Sequence, residues 1–79
     1  MRITVRLLAN YKELLPPGTP GSAIELEVPR GTTVAEAIAR FDVPLDDTSG
    51  IVLNGLSVDL NTPVSEGDTV AAFSAIAGG

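Results

Sequence analysis

The hydrophobic positions of this chain change period several times, and each change marks an element. Arg2-Ile3-Thr4-Val5-Arg6-Leu7 alternates polar and apolar strictly, the period-two pattern of a strand with one buried face. Ile3, Val5 and Leu7 share that face, and Arg2, Thr4 and Arg6 share the other. Ile24-Glu25-Leu26-Glu27-Val28 repeats the pattern until Pro29-Arg30-Gly31 stops it. Pairing of the two strands sets Glu25 and Glu27 on the same surface as Arg2 and Arg6. Opposite charges across a ladder add about 0.2–1 kcal/mol each and help fix its register. Between the strands, Asn10-Tyr11-Lys12-Glu13-Leu14-Leu15 reads as a short helix, ended by Pro16-Pro17-Gly18-Thr19-Pro20-Gly21, because proline and glycine punctuate chain direction.

The pattern then becomes helical. Thr33-Val34-Ala35-Glu36 is a capping box, in which the Thr33 hydroxyl accepts the Glu36 N–H and the Glu36 carboxylate accepts the Thr33 N–H. Val34, Ile38 and Phe41 follow on one stripe, widened by Ala37, and predict an amphipathic helix of roughly two to three turns that Pro44 ends. Asp46-Asp47-Thr48-Ser49-Gly50 reads as a solvated polar loop; two neighbouring carboxylates fall short of the oxygens a calcium loop assembles. Ile51-Val52-Leu53 is a short buried strand, Asn54-Gly55 a hairpin turn, and Leu56-Ser57-Val58 a brief return. After the turn at Glu66-Gly67-Asp68 comes a last strand, Thr69-Val70-Ala71-Ala72-Phe73. Val70 and Ala72 face one way and Ala71 and Phe73 the other, so both of its faces are apolar.

One helix must bury its stripe, and one sheet offers the face to receive it. Setting the last strand parallel to the first gives a mixed sheet packed on one main helix, the α+β arrangement of the β-grasp; a ferredoxin-like or other small α+β fold satisfies the pattern as well. Seventy-nine residues, 44% of them hydrophobic, hold a single domain spanning residues 1–79, with a flexible tail expected over 74–79.

The residue types that are missing constrain the chemistry. The chain has no Cys, no His and no Trp. Disulfides, thiolate or imidazole metal sites, thiol nucleophiles and histidine triads are thereby excluded. Neither a bound metal nor a bound cofactor is expected, and side-chain catalysis by this chain alone is not. Ten acidic residues against five basic ones give a net charge of −5, and Arg2, Arg6, Lys12, Arg30 and Arg40 are scattered; no nucleic-acid partner is expected. No apolar run approaches the length of a membrane span, and no leader pattern opens the chain, so a cytoplasmic location is expected.

Gly78-Gly79 is the one feature a plain domain does not need. Glycines let a chain thread a narrow channel without side-chain clash. From Ser74 to Gly79 an extended tail reaches at most about 20 Å. The apolar Ala71, Phe73 and Ile76 at its base are candidates for a partner-docking patch.

Taken with Pro29-Arg30-Gly31-Thr32-Thr33-Val34, Val52-Leu53-Asn54-Gly55, Glu66-Gly67-Asp68-Thr69-Val70-Ala71 and Phe73, this ending resembles the MoaD/ThiS family of ubiquitin-like sulfur carriers, over essentially the whole chain. The segments Leu8-Ala9-Asn10-Tyr11-Lys12-Glu13-Leu14-Leu15 and Asp59-Leu60-Asn61-Thr62-Pro63-Val64 resemble the molybdopterin branch; Ser74-Ala75 in place of two prolines, and Ala75-Ile76-Ala77-Gly78-Gly79, are closer to the thiamine carriers. The resemblance implies a carrier rather than an enzyme. Its Gly79 carboxylate would be adenylated with ATP by a ubiquitin-activating-like adenylyltransferase and converted to a thiocarboxylate, with Ile76, Ala77 and Gly78 forming the inserted tail. The sulfur would pass to the large subunit of molybdopterin synthase, in molybdopterin or tungsten cofactor synthesis, or alternatively to a thiazole synthase. A further alternative is a ubiquitin-like modifier joined through Gly79 to lysines of other proteins.

Overall fold

The structure is a computed structural model and describes residues 1–74; Ile76, Ala77, Gly78 and Gly79 lie outside the described residues. Five strands form one mixed sheet: β1 (Arg2–Leu7), β2 (Ala23–Glu27), β3 (Ser49–Leu53), β4 (Leu56–Ser57) and β5 (Thr69–Ser74), in the spatial order β2-β1-β5-β3-β4. β1 and β5 are parallel neighbours at the centre, Val5 opposite Val70 and Leu7 opposite Ala72. β2 runs antiparallel to β1, and β3 antiparallel to β5. With α1 (Val34–Ala39) packed on one face, this is the β-grasp that the element order predicts; the central parallel pair rules out the ferredoxin-like alternative.

The core sits between α1 and the inner face of the sheet. Ile3, Val5, Leu7, Val34, Ile38, Val70 and Ala72 are each at most 1% exposed, so the alternation of β1 and the stripe of α1 bury the side chains they predict. The capping box is formed: Thr33 Oγ1 accepts the Glu36 N–H at 3.2 Å, and Glu36 Oε1 accepts the Thr33 N–H at 2.9 Å. Two further N–H groups at this helix end, those of Val34 and Ala35, donate to the carbonyls of Thr62 and Leu60 at 2.8 and 3.0 Å. The chain after β4 is thereby tied to the helix.

Two local expectations are corrected and two are sharpened. The α-helix ends at Ala39, short of Phe41. Asp42 takes φ +55, and Val43, preceding Pro44, is disfavoured in helical conformation. Phe41 still packs against the core from the turn beyond. β3 begins at Ser49 rather than Ile51, because Ser49 and Gly50 pair with Ser74 and Phe73 across the sheet, a tertiary contact that outweighs their weak strand propensity. Arg2 takes both acidic partners, Nε to Glu27 at 2.9 Å and Nη1 to Glu25 at 3.4 Å, whereas the register sets Arg6 opposite Ala23 and Ala71. The segment read as a short helix is a 3-10 helix over Ala9–Leu14, with Tyr11 buried against the core.

Candidate functional site

The site is built on β5, the strand that leads toward the Gly-Gly pair. Its entry is fixed by hydrogen bonds from two turns. Asn54 and Gly55 have φ +51 and +85, the left-handed pair that closes a two-residue hairpin between β3 and β4. The Asn54 carboxamide uses both its ends: Nδ2 donates to Asp68 Oδ1 at 3.0 Å, and Oδ1 accepts the Thr69 N–H at 2.9 Å. Asp68 Oδ2 accepts the Ser65 N–H at 2.7 Å, and the Gly67 N–H donates to the Arg2 carbonyl at 2.8 Å. The Asn54-Gly55 and Glu66-Gly67-Asp68 motifs are therefore the fastening that starts β5 in register.

The far end is held as firmly. Ser74 lies opposite Ser49, and β5 runs one residue beyond the strand end expected at Phe73. Tyr11 Oη and Ser49 Oγ share a hydrogen bond of 2.7 Å, and Ser49 Oγ accepts the Asp46 N–H at 3.0 Å. The Leu8 N–H donates to the Ala72 carbonyl at 2.9 Å, prolonging the parallel pairing. The end of β5 is thus fixed by pairing with β3 and by hydrogen bonding to the segment that follows β1.

The face of β5 away from α1 carries the predicted docking residues. Phe73 is half-buried and lies over Gly50: a Cβ added at Gly50 would fall under 3.0 Å from three ring carbons of Phe73. The far edge of the ring thus occupies the space that a side chain at Gly50 would take. Ala71 sits between Arg6 and Val52 in register and is only 7% exposed, so its neighbours cover it and the half-buried Phe73 supplies most of the apolar surface here. The structure brings Ala71 and Phe73 to one face; Ile76 and the Gly78-Gly79 end lie outside the described residues. The role of Gly50 beneath the ring escaped the sequence reading, and its only signal was a glycine placed to face an aromatic across strands.

Electrostatics on the described residues are mild. Among them no group of three or more His, Cys, Asp or Glu is placed to hold a metal ion. Asp46 is held below the usual carboxylate range by hydrogen bonds from the Thr48 side chain and backbone, at 2.5 and 2.8 Å. The Asp46-Asp47 loop is hence organised by its own threonine. No helix among the described residues is long and apolar enough to cross a membrane.

A parallel strand pair at the sheet centre, one helix across it and a firmly anchored last strand define a ubiquitin-like β-grasp domain. The chain belongs to the ThiS family, whose model matches residues 5–79. Comparison with curated proteins by sequence gives no match. Among solved structures the chain is similar to SAMP1 from Haloferax volcanii, also solved as small archaeal modifier protein 1; the former match has a TM-score of 0.78 and 22% identity, covering 100% of both chains. It is also similar to the putative molybdopterin converting factor subunit 1 from Pyrococcus furiosus, with a TM-score of 0.71 and 20% identity over 95% of this chain and 98% of that one. A third match is to the complex of subunits 1 and 2 of the molybdopterin-converting factor from Helicobacter pylori, with a TM-score of 0.63, 21% identity and 100% coverage of both chains. At these identities the likeness is one of fold.

Proposed function

We propose that this chain is a sulfur carrier that works through the carboxylate of Gly79. The observation that carries the reading is the family match, which extends to residue 79 and so includes the Gly78-Gly79 pair. A terminal carboxyl group has a pKa of about 3.3–3.7 and is a poor electrophile when ionised. Attack of this carboxylate on the α-phosphorus of ATP, in a partner adenylyltransferase, releases pyrophosphate and leaves an acyl adenylate. The terminal sulfur of a persulfide then attacks the acyl carbon and AMP departs. A thiol opens the resulting acyl disulfide, becoming a disulfide itself and leaving the thiocarboxylate. None of these steps needs a Cys or His in the carrier, and the chain contains neither.

Phe73, with Ala71 beside it and Ile76 further along the chain, forms the docking face for the adenylyltransferase and for a synthase large subunit. The receiving pathway is molybdopterin or tungsten cofactor synthesis, a reading supported by the fold shared with the molybdopterin-converting factor subunits. The thiazole of thiamine is the same-class alternative, and genomic neighbours together with binding to each synthase separate the two. Attachment through Gly79 to lysines is a second reading, favoured by the fold shared with small archaeal modifier protein 1; Gly-Gly remnants of this chain on cellular lysines would establish it.

The test is intact mass after incubation with ATP, a persulfide donor and the adenylyltransferase. The full chain gains the mass difference of sulfur over oxygen. Deleting Gly79 moves the carboxylate by about 3.5 Å, and misplacement of the order of 1 Å already costs about a hundredfold in rate. The deletion therefore abolishes the gain, while stability shifts by less than about 0.5 kcal/mol. A deletion variant that gains sulfur at the full rate overturns the proposal.

A further inference from the structure

The sheet has a second feature that the carrier chemistry does not use. β4 pairs with β3 only at Val52 and Leu53, although β3 itself extends back to Ser49. Beyond that short ladder the two chains diverge and enclose an open cleft of about 370 Å3. One wall is residues 49–51 and the other residues 57–60, with Leu45 and Asp46 at one end. The opening has a cause in the fold. The carbonyls of Leu60 and Thr62 are bound by the first N–H groups of α1, which draws the second wall toward the helix and away from β3. The cleft is consequently preformed.

What the cleft exposes is a strand edge. In the hairpin, Leu53 and Leu56 are the hydrogen-bonded pair that flanks the two-residue turn, and alternation then directs the N–H of Ile51 to the same side. No acceptor for that N–H lies among the described residues. A donor in this position is the pairing group an added strand seeks. The lining is mixed: half-buried Leu45, Ile51 and Val58 stand beside Ser49 and Ser57, with exposed Asp46 and Asp59 as its charged groups. Leu60 on the lip is 40% exposed and Leu56 at the hairpin tip 71%. No Lys or Arg lines the cleft.

We infer that this cleft binds an extended segment of another protein, one that alternates basic and apolar residues and adds to the free edge of β3. Its backbone accepts the Ile51 N–H and donates an amide N–H to the Ile51 carbonyl, which points to the same side. Its apolar side chains rest on Leu45 and Val58, and its cations meet Asp46 and Asp59. Charge complementarity selects this occupant over a second copy of the chain, which carries a net charge of −5 and presents Glu25 and Glu27 on its β2 edge strand. The inference is independent of the sulfur chemistry, because the cleft lies on the β3–β4 side and needs nothing from Gly79.

The experiment is amide NMR of the full chain titrated with a short blocked peptide of alternating lysine and valine. The Ile51 amide is expected to shift and its hydrogen exchange to slow, with further shifts at Val58. A peptide N-methylated at its pairing amides, and one with glutamate in place of lysine, should fail to produce these changes. Asp59→Asn should weaken binding several-fold; it is preferred to Asp46→Asn because Asp46 also organises Thr48 within its own loop. Equal binding of the N-methylated or glutamate peptide, or shifts centred on Phe73 and Val52, would overturn the inference. So would an Ile51 amide already protected without peptide that becomes exposed on dilution or on truncation after Ser74, since a second copy or the chain's own end would then fill the edge.

Discussion

The two faces of the sheet follow the same alternation and are put to opposite uses. On the face toward α1, Val5 and Val70 meet across the central pair and both are fully buried. On the opposite face the same two strands bring Thr4 to Thr69 and Arg6 to Ala71, and Phe73 lies over Gly50. The inner face is closed by the helix and sets stability. Among the described residues no α-helix covers the outer face, which leaves Phe73 half-buried there, whereas Ala71 beside it is only 7% exposed. In an 8.1 kDa chain with one α-helix among the described residues, a strand apolar on both faces leaves apolar surface that the helix does not cover.

The comparison is tested most severely at Ile38, which is fully buried between α1 and the sheet. Ile38→Ala removes a large core side chain and is expected to destabilise the fold by about 2–5 kcal/mol. Urea unfolding measures it. A loss well below 1 kcal/mol would mean that the covered face does not hold the domain together.

A smaller effect is expected at Gly50, where the two uses can be pulled apart. The added methyl of Gly50→Ala collides with the Phe73 ring, so the ring must swing away or the strands must separate. Crowding of this kind costs about 1–3 kcal/mol. Phe73→Ala removes the ring without crowding; on the proposed docking role it weakens partner binding by about 1–3 kcal/mol and unfolds the domain less than Ile38→Ala does. Combining the two substitutions should relieve the crowding and restore stability toward that of Phe73→Ala alone, while binding stays weak. Calorimetry of the partner complex beside urea unfolding distinguishes the outcomes. Normal partner binding by Phe73→Ala would move the docking face elsewhere.

Legibility in the sequence followed the range of the interactions. The first strand, the capping box and the Asn54-Gly55 hairpin were readable because each is decided within a few residues, and the structure forms all three. The start of β3 was misplaced because Ser49 and Gly50 owe their strand conformation to Ser74 and Phe73, more than twenty positions away. Glu25 and Glu27 share one surface with Arg2 and Arg6 as the alternation implies, but which arginine lies opposite a carboxylate depends on register, and the register sets Arg6 opposite Ala23. The ring of Phe73 on Gly50 and the free edge at Ile51 had no local signature. Both depend on where one ladder begins and another stops. Of the candidate site, Phe73 and Ala71 could be placed, whereas Ile76, Ala77, Gly78 and Gly79 lie outside the described residues.

The smallest effect is expected where the outer face is most charged. Arg2 bonds to Glu27 and Glu25 through Nε and Nη1, and all three side chains are at least 60% exposed. The hydrogen bond to Glu27, then the negative charges of Glu27 and Glu25, raise the Arg2 pKa above its ordinary value. A raised cationic pKa contributes stability that is complete below the unfolded value and is lost as pH rises through the folded one. For an arginine that window lies in strong alkali, so this pair adds no pH dependence between neutral and mildly basic conditions. At neutral pH and above, salt is the practical lever, since exposed ion pairs are screened within about 10 Å at 0.1 M. Arg2→Gln should therefore lower Tm slightly in dilute buffer, and the difference from wild type should vanish in high salt. Persistence of the difference at high salt would show that Arg2 works through the packing of its methylene stem over the sheet, and the outer face would then contribute to stability as the inner one does.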